Sequence, residues 1–253
     1  MGVKVAVLAG TDAQSQVAAA TLACELSLPL VDITDASPFQ YLLVKTPRRL
    51  ELRDNRNGRV RPFYVDAGQL VARCKARNLS RRQPLARAVG VRTRTVVDAT
   101  AGMGQDAFRL AGMGYTVVAV EQCPLVAALL RDGLSRANDD HALHKILGGR
   151  LRIMTGDVRK VLPVTRPRPD AIYMDPMFPP KRKHSALAKK PLRILRDLVG
   201  DNDDTMELLS VCLRYAKQRV VVKRPHYAPP LPANPSTSYE GKLVRYDVYL
   251  TRG

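Results

Sequence analysis

The sequence predicts an α/β protein in which a mostly parallel, Rossmann-like sheet carries helices on both faces and is preceded by a small α+β domain. Three observations predict it. From residue 95 onward, short β-branched strands alternate regularly with helical segments, as in doubly wound folds. The first of these strands, Val96-Val97, leads into a turn containing Gly102 and Gly104, where the backbone can approach a ligand closely. Four strands of the series end in an acidic residue.

The composition indicates a globular chain with a polyanionic partner. The 253 residues are 45% hydrophobic, which is enough for a large core. A formal net charge of +18 favours nucleic acid as the partner, with a basic but functionally indifferent surface as the alternative. Aromatic residues make up only 5% of the chain and Trp is absent. We therefore expect a basic surface leading to a localised pocket, not a broad base-stacking platform.

Cysteine usage and hydropathy indicate a soluble protein in a reducing, cytoplasmic setting. The four cysteines are scattered and form no Cys-x-x-Cys pair, which argues against structural zinc and a disulfide framework. His184 and His226 have no second ligand at metal spacing, so we expect no metal. No apolar run approaches membrane-spanning length, so we expect no membrane partner.

Residues 1–90 are predicted to form a small α+β domain that ends in a basic linker. The expected elements are a strand over 3–8, a helix over 13–26 closed by Pro29, a hairpin of strands over 41–44 and 48–53, a turn over 54–58 and a strand over 62–65. The linker, residues 73–87, carries a cluster of Arg and Lys. It either touches phosphates or is a solvated face.

Residues 91–253 are predicted to form the larger domain. Strands are expected over 95–97, 116–120, 151–154, 171–174 and 219–223, with a terminal strand or hairpin over 242–251. Helices are expected over 106–112, 124–137, 192–199 and 206–215. Pro124 suits the first turn of its helix, where its missing N–H is not needed.

Acidic residues at the ends of successive strands point to one shared site. Asp98, Glu121, Asp157 and Asp175 each follow a predicted strand. Each alone could be an ordinary turn or N-cap residue. Because the carboxyl ends of parallel strands lie along one edge of a sheet, all four together predict carboxylates that converge on one crevice.

The turn after the first of these strands favours a cationic ligand. The spacing Gly102-x-Gly104-x-x-Ala107 is also compatible with dinucleotide binding, and Glu121 suits a ribose in either case. Asp98 separates the cases, because a carboxylate there would repel a pyrophosphate. S-adenosylmethionine carries an ammonium and a sulfonium, and its ribose and adenine offer donors that Glu121 and Asp157 can accept. We therefore predict S-adenosylmethionine as the cofactor.

The segment Asp175-Pro176-Met177-Phe178 is the candidate catalytic corner. Proline fixes the backbone and exposes the carboxylate of Asp175 and the carbonyl of Pro176 as acceptors, while Phe178 can stack on a flat ring. Such a site suits an exocyclic amine of a base, whose nitrogen would be aimed at a methyl group. The alternative is a proline turn with Phe178 in the core.

Several motifs together resemble the bacterial ribosomal RNA small subunit methyltransferase J family, with similarity from about residue 42 to the C-terminus. They are DATAGMGQDAF at 98–108, PLVAALLRDGL at 124–134, DPMFP at 175–179, SALAKK at 185–190, VVVKRP at 220–225 and YAPPL at 227–231. The resemblance implies a class I S-adenosylmethionine-dependent fold and methylation of the N2 amine of a guanine in 16S rRNA. It also implies that the cofactor is contacted by Gln105, Asp106, Glu121, Gln122, Gly156, Asp157 and Asp175.

Cations near the predicted site are candidates for contacts with 16S rRNA or the small ribosomal subunit. They are Lys181, Arg182, Lys183, Lys189, Lys190, Lys223 and Arg224. Two other functions remain open on the residues alone. One is methylation of adenine N6 or of another RNA or DNA base, since the same corner suits any exocyclic amine. The other is a non-catalytic, basic rRNA-binding assembly factor.

Overall fold

The chain folds into two sheets, which a computed structural model describes for residues 3–56, 61–72, 79–176, 204–229, 231 and 233–251. The first sheet has four strands in the order β2-β1-β3-β4. These are β1 (Val5–Leu8), β2 (Leu30–Val31), β3 (Tyr41–Lys45) and β4 (Leu50–Asp54). Helix α1 (Ala13–Leu26) has the predicted bounds, and the Asp12 carboxylate caps it by accepting a hydrogen bond from the Ser15 N–H at 2.9 Å.

The predicted strand over 62–65 is wrong. Only Phe63 pairs with the sheet, through a single bridge to Leu52 in which each backbone N–H donates to the other carbonyl. In an antiparallel pair the next residue to hydrogen-bond would be Val65, but its carbonyl accepts a hydrogen bond from the Arg136 guanidinium instead.

The second sheet has seven strands in the order β10-β11-β9-β8-β5-β6-β7. They are β5 (Thr95–Asp98), β6 (Thr116–Glu121), β7 (Leu151–Thr155), β8 (Ala171–Met174), β9 (Arg219–Pro225), β10 (Thr237–Glu240) and β11 (Val244–Leu250). Strands β5 to β9 are mutually parallel, and β11 runs antiparallel to β9 and β10. The chain order reverses between β5 and β8, which is where ligands bind in open α/β sheets.

Helices connect and cover these strands. They are α2 (Ala67–Ala72), α3 (Pro84–Val89), α4 (Gln105–Gly112), α5 (Pro124–Asp139), α6 (His141–Leu147), α7 (Val158–Val161) and α8 (Thr205–Tyr215). The predicted α/β class with a mostly parallel sheet is confirmed. The helix predicted over 192–199 lies outside the described residues.

Residues 73–87 are predicted to be a linker that is either solvated or in contact with phosphates. Helix α3, which includes the end of this segment, is different. Leu85, Ala86, Ala88 and Val89 are all fully buried. The Arg81 guanidinium donates to the carbonyls of Val91, Met113 and Gly114. The described end of this segment is therefore part of the core, because its small and branched residues bury one face under β9 to β11. Residues 73–78 lie outside the described part.

One apolar cluster contains residues of both sheets, among them Val7 and Leu43 from the first and Val96 and Val117 from the second. An ion pair also joins them: Lys45 Nζ on β3 lies 2.8 Å from Asp132 Oδ1 on α5. The predicted division into a domain over 1–90 and one over 91–253 stays a prediction. Among the described helices, none combines the length and the apolar character needed to cross a membrane.

Candidate active site

The turn after β5 brings the backbone to the edge of the sheet. Gly102 has φ 51° and Gly104 has φ 76°, a left-handed region that glycine enters without strain. A Cβ on Gly104 would lie 2.6 Å from Leu130 Cδ2 and 3.1 Å from the Phe108 ring, and both side chains are fully buried. Helix α4 therefore begins where only glycine fits.

We expect Gly104→Ala to destabilise the protein more than Gly149→Ala. Gly149 has φ 67° and an added Cβ there would meet nothing within 4 Å, so its substitution carries only backbone strain of about 1–2 kcal/mol. Gly104→Ala adds the steric contact. On the basis of about 2–4 °C per kcal/mol, thermal melting should show a visibly larger fall in Tm for Gly104→Ala. Equal melting temperatures would contradict the tight contact.

Glu121 ties the glycine turn to the end of β6. Its carboxylate accepts hydrogen bonds from the Gly102 N–H and the Cys123 N–H, both at 2.8 Å. The side chain is buried, and this burial raises the pKa of Glu121. A carboxylate has about four acceptor positions, so Glu121 retains acceptor capacity for a ligand hydroxyl.

Gly156 and Asp157 follow β7 beside it. The Gly156 N–H donates to the Glu121 carbonyl at 2.9 Å, which joins the ends of β6 and β7. The Asp157 carboxylate caps α7 through the Arg159 N–H at 2.9 Å and also pairs with the Arg159 guanidinium. These contacts lower the pKa of Asp157, mainly through the Arg159 side chain. Its predicted contact with the cofactor stays a prediction, as do those of Gln105 and Gln122, whose side chains are exposed.

A buried ionic network lies at the centre of the edge. Lys223 Nζ on β9 lies 2.7 Å from Asp106 Oδ2 on α4 and 2.7 Å from Asp175 Oδ2 after β8. The Tyr173 hydroxyl donates to Asp106 Oδ2 at 2.6 Å. Arg109 NH1 lies 3.2 Å from Asp106 Oδ1. Three elements of the fold are therefore joined through one lysine.

Lys223 and Arg224 correct the predicted set of RNA contacts. The Lys223 side chain is only 20% exposed and is occupied by the two carboxylates, so it is not a free surface cation. Arg224 is buried, and its guanidinium donates to the Pro229 carbonyl. The other predicted RNA contacts, Lys181, Arg182, Lys183, Lys189 and Lys190, lie outside the described residues, as does Phe178.

The charged groups of this network shift one another's pKa values. Burial works against charge on Lys223, but Asp106 and Asp175 together raise its pKa above the ordinary value. Burial also opposes the charge of Asp106, yet Lys223 holds the pKa of that carboxyl below its usual range. Asp175 differs: burial and the neighbouring Asp106 raise its pKa in spite of Lys223. Their surroundings therefore favour the ionised form of Asp106 and disfavour that of Asp175.

Asp98 and Thr100 complete the edge. Asp98 accepts a hydrogen bond from the Thr100 N–H at 3.1 Å, and the Asp175 N–H donates to Thr100 Oγ1 at 2.7 Å. Thr100 therefore joins the ends of β5 and β8, a role that the sequence analysis missed. Burial, together with Asp106 and Asp175, raises the pKa of Asp98 to about 8.

We expect Asp98→Asn to stabilise the protein above neutral pH. An unfolded Asp ionises near pH 3.8, whereas folded Asp98 stays protonated to about pH 8, so its contribution to stability is lost progressively as pH rises between these values. The gain in Tm should be near zero at pH 4, grow with pH and level off above pH 8. Asp139→Asn, a change on an exposed side chain, is the control. A gain in Tm that does not depend on pH would contradict the buried ionisation.

The structure thus brings Asp98, Asp106, Glu121 and Asp175 to one edge, where the glycine turn begins α4. In a chain of net charge +18, this cluster of carboxylates suits a cationic ligand. Across the described part of the chain, no group of three or more His, Cys, Asp or Glu side chains could hold a metal ion.

Comparisons with known proteins agree with this geometry. Residues 27–251 match the SAM-dependent methyltransferase family. Ribosomal RNA small subunit methyltransferase J of Coxiella burnetii is 43% identical over 238 residues, which are 91% of each chain. The protein of that name from Aeromonas salmonicida is 45% identical over 216 residues, covering 83% of this chain and 86% of the relative.

A solved structure has the same architecture. The crystal structure of a SAM-dependent methyltransferase from Neisseria gonorrhoeae superposes with a TM-score of 0.74 at 32% identity, covering 99% of this chain and 97% of that one. Both the identity and the coverage are those of a family member. This chain belongs to the ribosomal RNA small subunit methyltransferase J family of SAM-dependent methyltransferases.

Proposed function

We propose that this enzyme methylates the exocyclic N2 amine of a guanine in 16S rRNA. The observation that carries the proposal is the position of Asp175. Its side chain is 38% exposed at the point where the strand order reverses, and its Oδ2 atom forms an ion pair with Lys223. A carboxylate so placed can accept a hydrogen bond from an amine brought to this edge.

The residues of the edge fit S-adenosylmethionine. When bound, it supplies a methyl group that is already activated on a sulfonium. Glu121 keeps acceptor capacity for the ribose hydroxyls, and the backbone at Gly102 is partly exposed beside it. The Asp106–Lys223–Asp175 network supplies negative charge that suits a cation, and the carboxyl of Asp98, which stays protonated to about pH 8, supplies further polar atoms beside it. Gln105, Gln122, Gly156 and Asp157 are further proposed contacts.

Asp175 and the Pro176 carbonyl are proposed to receive the N–H groups of the amine. A guanine N2 is a poor nucleophile because its lone pair is delocalised into the ring. Two acceptors would orient that lone pair and stabilise the positive charge that develops on nitrogen. Because the acceptors are held in place, alignment alone can supply roughly 7–11 kcal/mol in favourable cases. Phe178 is proposed to stack on the base, which is worth about 1–3 kcal/mol.

Lys223 is proposed to position Asp175. It binds only Oδ2 of that carboxylate, so Oδ1 remains available to the amine. Its positive charge also favours the ionised form of Asp175, which burial and Asp106 oppose. An ionised carboxylate accepts hydrogen bonds and can take a proton after methyl transfer, whereas a protonated one does so poorly.

The proposed partner is 16S rRNA, either free or within the small ribosomal subunit, and the proposed location is the cytoplasm, where that RNA is found. Lys181, Arg182, Lys183, Lys189 and Lys190 are proposed phosphate contacts beside the active site. Their density, five cations within ten residues, suits the RNA backbone.

Transfer of labelled methyl groups tests the proposal. Wild-type enzyme is incubated with labelled S-adenosylmethionine and either 30S subunits, naked 16S rRNA or DNA of equal nucleotide content. We expect label in the ribosomal RNA and none in DNA. Label in DNA would favour a DNA base amine instead. Calorimetric binding of S-adenosylmethionine without any transfer to RNA would favour a non-catalytic assembly factor.

A further inference from the structure

We propose that the edge of the large sheet opposite the active site is a second RNA-binding surface, which anchors the phosphate backbone of the substrate. Five chain segments precede the parallel strands β5 to β9 and therefore meet at this amino edge. They carry six cations and a single acid, Asp170. The cations are Arg92, Arg94, Arg150, Arg166, Arg168 and Lys217. We call these six residues the basic edge.

Hydrogen bonds show that these segments form one continuous surface. The Arg94 N–H donates to Asp170 Oδ2 at 2.9 Å, which joins the segments before β5 and β8. The Lys217 N–H donates to the Pro169 carbonyl at 2.9 Å, which adds the segment before β9. On the other side, the Thr116 N–H donates to the Arg94 carbonyl, and the Val117 N–H donates to the Arg150 carbonyl.

The single acid, Asp170, is hydrogen-bonded by backbone N–H groups. Asp170 Oδ2 accepts hydrogen bonds from the N–H groups of both Arg94 and Thr95, and Lys217 Nζ lies 3.9 Å from Oδ1. Asp170 therefore holds the segments together, and its one negative charge stands against the six positive charges of the basic edge. Five of the six cations are exposed, and Arg150 is half-buried.

Several arginines elsewhere on the surface are paired with acids. Arg49 and Arg53 share Glu51, Arg56 pairs with Asp54, and Arg159 pairs with Asp157 and Asp204. Within the described residues, by contrast, the side chains of Arg92 and Arg94 have no acidic partner. Exposed guanidinium groups without a carboxylate are suited to phosphate oxygens, to which they bind in a bidentate manner.

The position of the basic edge is compatible with a large RNA. The strands between the two edges have four to seven residues, or roughly 13–23 Å at 3.3 Å per residue. A structured RNA that delivers a base to the active site can therefore place a neighbouring segment against the basic edge. The basic edge would thus add phosphate contacts to those proposed for the segment 181–190, at a distance from the carboxylates of the active site.

The test compares two variants that each lose two positive charges. Arg92→Gln/Arg94→Gln alters the basic edge, and Lys4→Gln/Arg48→Gln removes two exposed cations from segments that flank strands of the small sheet. Binding to a 16S rRNA transcript is measured over a range of salt concentrations. The first variant should bind on the order of tenfold more weakly near 0.1 M salt, and its log–log salt slope should fall by about 1.4–1.8. The control variant should change both quantities less.

The inference deepens the proposed function and rests on its RNA substrate, so the wild-type enzyme is measured alongside. If wild type binds and methylates RNA but the two variants have the same affinity and salt slope, the basic edge is not an RNA surface. If wild type neither binds nor methylates 16S rRNA, the proposed function itself fails. Unchanged melting temperature and unchanged calorimetric affinity for S-adenosylmethionine show that the basic-edge variant is folded, so that its weaker RNA binding supports the inference.

Discussion

Asp175→Asn is expected to lower kcat for rRNA methylation by roughly 10²–10³-fold, the range seen when one preorganised electrostatic group is removed. Asparagine keeps the size of the side chain and can still occupy the space beside Lys223. It lacks the negative charge that accepts the amine protons and stabilises charge on nitrogen. Because the group acts mainly in the transition state, kcat should fall while the affinity for RNA changes little.

Single-turnover kinetics with saturating enzyme measure this effect without interference from product release. The matched control is Asp157→Asn, which also changes a strand-end carboxylate of the same sheet edge but one that pairs with Arg159. It should affect the affinity for S-adenosylmethionine and leave the rate at saturation nearly unchanged. A rate for Asp175→Asn within threefold of wild type would remove Asp175 from the mechanism.

Lys223→Met is expected to lower kcat by at least tenfold and to move the acid limb of the pH–rate profile to higher pH. Removal of the cation raises the pKa of Asp175 further, because burial and Asp106 then act on it unopposed. A larger fraction of Asp175 is therefore protonated near neutral pH. Lys223→Arg keeps the charge and should recover part of the activity with the acid limb close to its original position.

A purely structural role for Lys223 would lower activity without moving the pH profile. Loss of one partner from a buried ionic group also destabilises a protein, by about 3–5 kcal/mol. If Lys223→Met does not fold, Asp106→Asn/Lys223→Met removes the excess negative charge and should restore folding. The shift of the acid limb can then be measured against Asp106→Asn alone. An unshifted limb in the double variant would contradict the positioning role.

The large sheet could be predicted well because its signals are local. Strands such as Val96-Val97 are β-branched runs bounded by glycine or acidic residues, and each predicted boundary from β5 to β8 lies within one residue of the observed one. The convergence of Asp98, Glu121 and Asp175 also followed, because it depends only on the strands being parallel.

The parts that could not be predicted depend on tertiary packing. Helix α3 lies in a stretch dominated by Arg, and only the packed structure shows that Leu85 and Val89 are buried there. The sequence predicts Lys223 as a phosphate contact because it follows a strand end beside the predicted site, whereas in the structure it binds two carboxylates. A signal was present, since Lys223 continues the buried run Val220-Val221-Val222, and a lysine in such a run needs an acidic partner.

The central claim is that the enzyme methylates a guanine amine at this edge of the sheet. Nucleoside mass spectrometry of 16S rRNA tests it most directly. The RNA is digested after incubation with S-adenosylmethionine and either wild-type enzyme or Asp175→Asn. We expect N2-methylguanosine with wild type and a trace at most with the variant. N6-methyladenosine as the product, or equal amounts of N2-methylguanosine from both enzymes, would contradict the account.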